Sequence, residues 1–169
     1  MAKQKEFKNN VTRMLDTEGV DYSVHEYPHE DGVAVDGMAV ALSLGQDPDC
    51  VYKTLVTVSP GGEHYVFVLP VCEELDLKKA ARAVGEKSVC MLHVRDLLPL
   101  TGYVRGGCSP LGMKKHFKTV FSDMVTLIDR VTVSAGKIGY QIEMSSEDLL
   151  RLADAQCADI LMQRIEGIK

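Results

Sequence analysis

The chain lacks several features that mark well-defined classes of protein. It has no tryptophan, no Cys-x-x-Cys pair and no apolar run that approaches the length of a membrane span. Its N-terminus, Met1–Lys5, leads into charged and polar residues instead of the apolar region of a signal peptide. The five cysteines are odd in number and widely spaced, which argues against a disulfide framework and a thiolate zinc site. We therefore expect a cytoplasmic protein with no membrane contact.

The charge balance is acidic, with 24 Asp and Glu against 19 Lys and Arg and a net charge of −5. Proteins that bind nucleic acid through a wide phosphate footprint are usually basic. A nucleic-acid partner of this chain therefore has to contact a local basic patch. Each of two candidate patches can instead be an ordinary solvated face, and this interpretation suits the patch at 78–82 better than the patch at 105–118. The candidates are Lys78, Lys79 and Arg82, and then Arg105, Lys114, Lys115 and Lys118.

The 169 residues suit one domain, residues 1–169, whose core needs no disulfide or structural metal. Helical spacing predicts helices at 3–18, 33–44 and 75–84, a short helix or turn at 95–98, and a helix capped by Ser145 that runs to about Leu152. Apolar and β-branched runs predict strands at 23–27, 51–58, 64–69, 88–92, 119–121, 126–133 and 140–144, with a hairpin turn at 59–63 and an ordered tail at 158–165. Because strands and helices do not alternate strictly, we expect a mixed α+β domain.

The segment Thr101–Lys115 is rich in glycine and holds three Lys or Arg residues. Such a loop suits backbone N–H groups that bind a carbonyl oxygen or a phosphate. Gly107 and Gly112 have the spacing of a nucleotide-binding P-loop, but Met113 stands at its lysine position, so nucleotide hydrolysis is excluded. Cys108 is a candidate nucleophile or, more simply, a small apolar side chain in a tight turn.

Other chemistry-bearing residues carry weaker signals. Lys53 lies inside an apolar strand, where it is either an edge-strand charge that discourages aggregation or a half-buried cation for an anionic or carbonyl group. No Gly-x-Ser-x-Gly elbow is present, and Ser109 before Pro110 suits a cap or turn. Pro28 argues against a helix that would align the nearby ligand-type residues on one face, so we expect no metal and no cofactor. Those residues are His25, His29, Glu30 and Asp31.

Four spaced motifs, at 51–55, 75–79, 101–112 and 133–137, together resemble the YbaK/ProX family of trans-acting aminoacyl-tRNA deacylases. This family is related to the editing domain inserted in bacterial prolyl-tRNA synthetases, and the resemblance is closest to members that act on Cys-tRNA(Pro). It runs from about Val20 to the C-terminus. It implies a mixed α+β fold in which helices surround a curved, barrel-like β-sheet, and hydrolysis of the ester that joins a mischarged amino acid to the tRNA 3′ end. It also implies that the thiol of the substrate cysteine attacks its own ester carbonyl, so that no protein nucleophile is needed.

The resemblance also assigns roles to single residues. It implies that Lys53 contacts the 3′-terminal phosphate or ribose and that N–H groups of Gly106 and Gly107 lie near the aminoacyl carbonyl, with Ser134 in a second glycine-containing loop. Ala135 departs from the family, in which a second glycine is common, and Gln141 departs where an aspartate can stand. The remaining implied substrate-binding residues are Tyr27, Thr54, Ser109, Pro110 and Gln141.

The expected partners are the aminoacyl-tRNA 3′ end and a synthetase, prolyl-tRNA synthetase or another, that selects the tRNA. Two other functions stay open at this point. One is a deacylase that clears alanine or another small amino acid with water, and the other is a non-catalytic module that binds tRNA ends or a synthetase.

Overall fold

A computed structural model describes residues 7–163, which form five α-helices and eight β-strands. The helices are Asn10–Glu18 (α1), Gly37–Ser43 (α2), Leu77–Ala83 (α3), Val94–Thr101 (α4) and Ser146–Leu152 (α5). The strands are Tyr22–Glu26 (β1), Tyr52–Val58 (β2), His64–Pro70 (β3), Cys90–Met91 (β4), Lys118–Ser122 (β5), Arg130–Lys137 (β6), Tyr140–Ser145 (β7) and Ala155–Ala158 (β8). No helix within residues 7–163 is long and apolar enough to cross a membrane.

The strands form two sheets. One has the order β1-β7-β6 and is antiparallel, and the other has the order β4-β2-β3-β5-β8 and contains the parallel pairs β3–β5 and β5–β8. An isolated bridge between Val51 and Thr132 joins β2 to β6. The mixed α+β prediction is confirmed, as is the antiparallel hairpin of β2 and β3. No closed barrel is found among the described strands, and the barrel-like curvature stays a prediction.

Two hydrophobic cores follow from the alternation of side chains along the strands. The larger core lies between the sheets, where Val133 and Ile142 of one sheet meet Tyr52 and Phe121 of the other. The smaller core lies on the opposite face of the five-stranded sheet, where α3 covers Phe67. Both sheets therefore contribute side chains to the larger core, and the side chains that lie in space between β2 and β6 pack against both sheets.

Local capping explains where the first and last helices begin. Asn9 accepts a bond from the Thr12 N–H and the Thr12 hydroxyl accepts one from the Asn9 N–H, so α1 begins at Asn10 and ends at the left-handed Gly19. Residues 3–6 of the predicted helix lie outside the described residues. The Ser145 hydroxyl accepts from the Asp148 N–H at 3.2 Å, and α5 begins and ends as predicted.

The structure corrects three boundaries. The predicted strand at 126–133 is wrong in its first half, because Ser122 caps a 3-10 helix at Asp123–Leu127 and β6 begins only at Arg130. That strand then continues through 134–137, which the sequence analysis treated as a divider. Asp36 caps α2, which therefore begins at Gly37 and not at residue 33. The sequence analysis missed β8, and the predicted tail at 158–165 is described only to residue 163.

Candidate active site

A cavity of about 830 Å³ lies between the two sheets and is bordered by α4 through Val94 and Leu97. Residues from several separate segments of the chain line it, including six of the predicted site residues. These six are Tyr27, Lys53, Thr54, Gly106, Ser134 and Gln141. The fold thus brings together most of the residues that the sequence analysis selected.

Three predicted site residues do not line this cavity. Gly107 donates its N–H to the Val104 carbonyl at 3.0 Å, inside the turn of the glycine-rich loop. Ser109 is fully buried, and its hydroxyl accepts from the Leu111 N–H at 3.2 Å, which is the turn role considered for it. Pro110 lines a separate hollow of about 240 Å³. Direct substrate contact by these residues stays a prediction.

Lys53 combines both interpretations that the sequence left open. It lies on β2, whose outer edge is unpaired at this point, and its side chain is 28% exposed. Its Nζ lies 3.8 Å from the Glu74 carboxylate, which is mostly exposed. Lys53 is therefore a half-buried cation at the cavity wall, with one weakly held partner.

The outer edge of β2 has a gap in its hydrogen bonding. This edge is joined to Thr132 through Val51 at one end and to β4 at the other, where the Leu92 N–H donates to the Val56 carbonyl at 3.0 Å. Alternate residues of a strand direct their backbone groups to the same edge, so the N–H and C=O of Thr54 point into the gap. The Thr54 Oγ1 is buried and has no hydrogen-bond partner within the described residues. The backbone N–H and C=O of this cavity-lining residue are thus available to a ligand, and its buried hydroxyl lacks a partner within the described residues.

Close packing explains the glycine pair in the loop between α4 and β5. Gly106 has φ +87°, and a Cβ on it would lie 2.8 Å from the Ala34 Cβ. A Cβ on Gly107 would lie 3.0 Å from the Ile138 backbone nitrogen. The loop is therefore wedged between segment 28–36 and the β6–β7 hairpin, and a side chain at either position would push the cavity walls apart.

Cys108 lines the cavity as a protonated thiol. Its side chain is buried, and burial raises the pKa of the thiol to about 12. A thiolate nucleophile needs a lowered pKa, which nearby cations or a helix N-terminus provide in reactive cysteines. The environment of Cys108 favours the role of a small apolar side chain.

The cavity contains no pair of a nucleophile and a base among its described lining residues. No histidine lines it, and its single carboxylate, Asp36, accepts from the Ala39 N–H as the cap of α2 at 3.2 Å. Lys53 and Arg105 supply positive charge. Such a set can bind and orient an anionic ester, but it does not resemble a catalytic triad.

Gln141 makes a contact that the sequence did not indicate. Its strand position is directly opposite Ser134, and its side chain is 6% exposed. The Gln46 Nε2 donates to the Gln141 Oε1 at 2.9 Å, and a longer bond of 3.5 Å runs in the reverse direction. Gln46 belongs to the connection after α2, so the pair links that connection to β7. At Gln141 the cavity wall is therefore formed by a side chain in an uncharged pair of amides.

Stacked rings hold the segment before α2 against the β6–β7 hairpin. The His29 Nδ1 lies 2.8 Å from the Tyr27 carbonyl oxygen, and the His29 ring packs edge-on against Tyr140 at 5.6 Å between centroids. Phe7 also stacks on Tyr140, with 4.0 Å between ring centroids. His25 bonds Glu143 instead, at 2.8 Å, so the histidines of the candidate metal cluster serve the packing of this sheet.

Comparisons with known proteins agree with this geometry. A model of the family described as "Aminoacyl-tRNA editing domain" matches residues 33–152. The chain is 45% identical over 162 residues, which span 95% of it and 98% of the relative, to "Putative Cys-tRNA(Pro)/Cys-tRNA(Cys) deacylase EbsC" of Enterococcus faecalis (strain ATCC 700802 / V583). A solved structure of "a putative trans-editing enzyme for prolyl tRNA synthetase" is 25% identical with a TM-score of 0.78, over 93% of this chain and 99% of that one. The solved structure of the hypothetical protein APE2540 shares the fold, with 21% identity and a TM-score of 0.80 over 91% of this chain and 100% of that one.

Proposed function

The chain belongs to the aminoacyl-tRNA editing domain family, and on that premise we propose that it is a trans-editing hydrolase for Cys-tRNA(Pro) and Cys-tRNA(Cys). The relative that is 45% identical carries these two substrates in its name. The observation that carries the proposal is the composition of the cavity, which offers cations and backbone groups but no activated nucleophile among its described lining residues. A substrate that brings its own nucleophile fits such a cavity.

The proposed reaction uses the thiol of the cysteinyl group. The thiol loses its proton, its sulfur attacks the ester carbonyl, and the C–O bond to the terminal ribose breaks. The ribose oxygen takes up a proton, the amino acid leaves as a cyclic thiolactone, and water then opens the ring to give cysteine. The protein has to hold the thiol near the carbonyl and stabilise the developing negative charge on the carbonyl oxygen.

The lining residues divide these tasks. We assign Lys53 to the 3′-terminal phosphate or ribose, and its position as a half-buried cation of the cavity wall supports this role. Gly106 presents backbone to the cavity, whereas the N–H of Gly107 is already donated to Val104. We therefore assign the carbonyl contact to Gly106 and the close packing of the loop to Gly107. Thr54 and Ser134 bring hydroxyl groups to the same cavity.

The chain has few contacts with which to tell one tRNA from another inside the cavity, so we propose that a synthetase in the cytoplasm, prolyl-tRNA synthetase first, supplies tRNA selection. Addition of that synthetase at limiting enzyme is expected to accelerate the clearance of Cys-tRNA(Pro). An unchanged rate would count against the partnership.

A matched panel of aminoacyl-tRNA(Pro) substrates tests the activity. Cysteinyl and 2-aminobutyryl esters have side chains of similar size, but only the first has a thiol. We expect release of cysteine from the first ester and no release of 2-aminobutyrate from the second. The uncleaved 2-aminobutyryl ester should act as a competitive inhibitor. Equal turnover of both, or of alanyl-tRNA(Pro), would replace the thiol mechanism with attack by water. Binding of every ester without turnover would indicate a non-catalytic module.

A further inference from the structure

Positive charge is concentrated in one part of this acidic chain. Residues 87–121 contain six Lys and Arg and one Asp, a net charge of +5, whereas the rest of the chain has 13 basic against 23 acidic residues. A charge of one sign gathered in this way produces a local field that attracts an oppositely charged partner.

The Lys and Arg residues of this part are not neutralised locally. Within residues 7–163, none of them has a carboxylate at ion-pair distance. Elsewhere in the described chain, basic side chains commonly have such a partner. These are Lys8, Lys53, Lys79, Arg130 and Arg151. Cations without a carboxylate partner are therefore concentrated in residues 87–121, where the local net charge is also positive.

Three of these six cations lie on an exposed ridge along α4, beside the cavity. We call the α4 ridge the surface formed by Arg95, Leu98, Arg105 and Lys114, all of which are exposed. Lys114 joins the C-terminal end of α4, because its Nζ donates to the Pro99 carbonyl at 3.2 Å. Arg105 also lines the cavity, so the ridge is continuous with its wall.

We propose that the α4 ridge binds the acceptor stem of the tRNA whose aminoacylated 3′ end occupies the cavity. The inference rests on the proposed function and adds to it the surface for the rest of the substrate. An RNA stem carries regularly spaced phosphates, and unpaired Arg and Lys side chains are the groups that bind them. A tRNA whose 3′ end occupies the cavity would pass Arg105, which lines it. Arg95 and Lys114 lie on one face of α4, because the Lys114 side chain packs beside Gly102, seven residues after Arg95. The ridge thus gives affinity for any tRNA, while the cavity selects the amino acid.

The α3 helix provides a matched control. Lys78 and Arg82 are exposed cations one helical turn apart, on a helix that covers the smaller core and does not line the cavity. The double variants Arg95→Gln/Lys114→Gln and Lys78→Gln/Arg82→Gln remove the same charge from two places. The circular dichroism spectra of both double variants check that the fold is retained.

Two substrates separate docking from chemistry. They are full-length cysteinyl-tRNA(Pro) and a cysteinylated CCA trinucleotide, which has no stem. For the ridge variant, kcat/KM on the full-length substrate is expected to fall on the order of tenfold at 0.1 M salt. The slope of its plot of log kcat/KM against log salt concentration should be shallower by about two units. Its activity on the trinucleotide and both activities of the α3 variant should stay at the wild-type level.

Binding of uncharged tRNA(Pro) makes the docking test independent of catalysis. The ridge variant should bind it on the order of tenfold more weakly than the α3 variant does at 0.1 M salt. Equal losses in both variants, an unchanged salt dependence in the ridge variant, or an equal loss on the trinucleotide would overturn the assignment of the ridge. If wild-type protein cleaves neither ester but the ridge variant still binds tRNA more weakly, the proposed activity fails and the docking surface stands.

Discussion

At the scale of single residues, Lys53 is the side chain whose removal should cost the most activity for the least stability. Lys53→Ala removes a half-buried cation from the cavity wall, and kcat/KM for cysteinyl-tRNA should fall about 100-fold or more. The melting temperature should change little, because the ion pair with the exposed Glu74 is weak. Glu74→Gln is the control and should keep wild-type activity, and a fully active Lys53→Ala variant would contradict the assignment.

Cys108 gives the opposite prediction for a cavity residue. Its thiol, with a pKa raised by burial to about 12, stays protonated across the neutral range. Cys108→Ala is therefore expected to retain activity. The pH dependence of the rate between pH 6 and about 9 should be the same in the wild-type protein and in the variant. A folded but inactive Cys108→Ala protein, judged by its circular dichroism spectrum, would point to enzyme-thiol catalysis instead.

Taken alone, the residues pointed to this cavity only where a residue type is unusual for its context, whereas Tyr27, Thr54, Ser134 and Gln141 were selected from the family resemblance. Lys53 stood out because a lysine within an apolar strand is unusual, and Gly106 because few loops need adjacent glycines. Gln46 gave no such signal. Its pairing with Gln141 depends on how the connection after α2 folds across β7, and an amide in a loop is common in any sequence.

At the scale of elements, the glycine-rich loop is fixed by contact and not only by its dihedral angles. Gly106→Ala and Gly62→Ala both place a side chain at positive φ, +87° and +89°, which costs about 1 kcal/mol each. Only at Gly106 does the new Cβ also meet another segment, at 2.8 Å from Ala34. Gly106→Ala should therefore lower kcat/KM and stability together, whereas Gly62→Ala should lower stability alone.

Steady-state kinetics and urea titration of the two variants measure this difference. Similar activities in both would mean that the wedge between the loop and segment 28–36 does not shape the cavity.

Elements with strong local signals were predictable, and those defined by distant pairing were not. The hairpin of β2 and β3 was indicated by β-branched runs and a turn rich in glycine and proline. By contrast, Ala155–Ala158 has little β propensity and is a strand only because it lies parallel to β5. The late start of β6 has the same origin, since Ser122 caps a 3-10 helix in a stretch whose apolar residues otherwise suit a strand.

At the scale of the whole molecule, the shared core couples both sheets, so a local charge pair should affect global stability. Hydrogen bonds from His25 and then Arg130 hold the pKa of Glu143 below its ordinary value of 4.5. A carboxyl with a lowered folded-state pKa contributes stability that is fully present above 4.5 and is lost as the pH falls through the lower folded-state value.

Glu143→Gln should therefore flatten the decline of the unfolding free energy below pH 4.5. The loss at neutral pH should stay within about 1 kcal/mol, because the carboxylate is about one-third exposed and water screens the pair. Urea titrations of both proteins at a series of pH values measure the two slopes, and parallel curves would mean that Glu143 does not couple to folding. Asp123→Asn is the control, as an exposed carboxylate outside this pair.

The gap in the edge of β2 is a template for inhibitor design. A short extended scaffold with one amide in the correct register could accept from the N–H of Thr54 and donate to its C=O, as an added strand does at an open sheet edge. Main-chain pairing of this kind does not depend on the identity of the side chain. Resistance by point substitution at residue 54 would therefore be difficult, since every amino acid except proline presents the same two backbone groups.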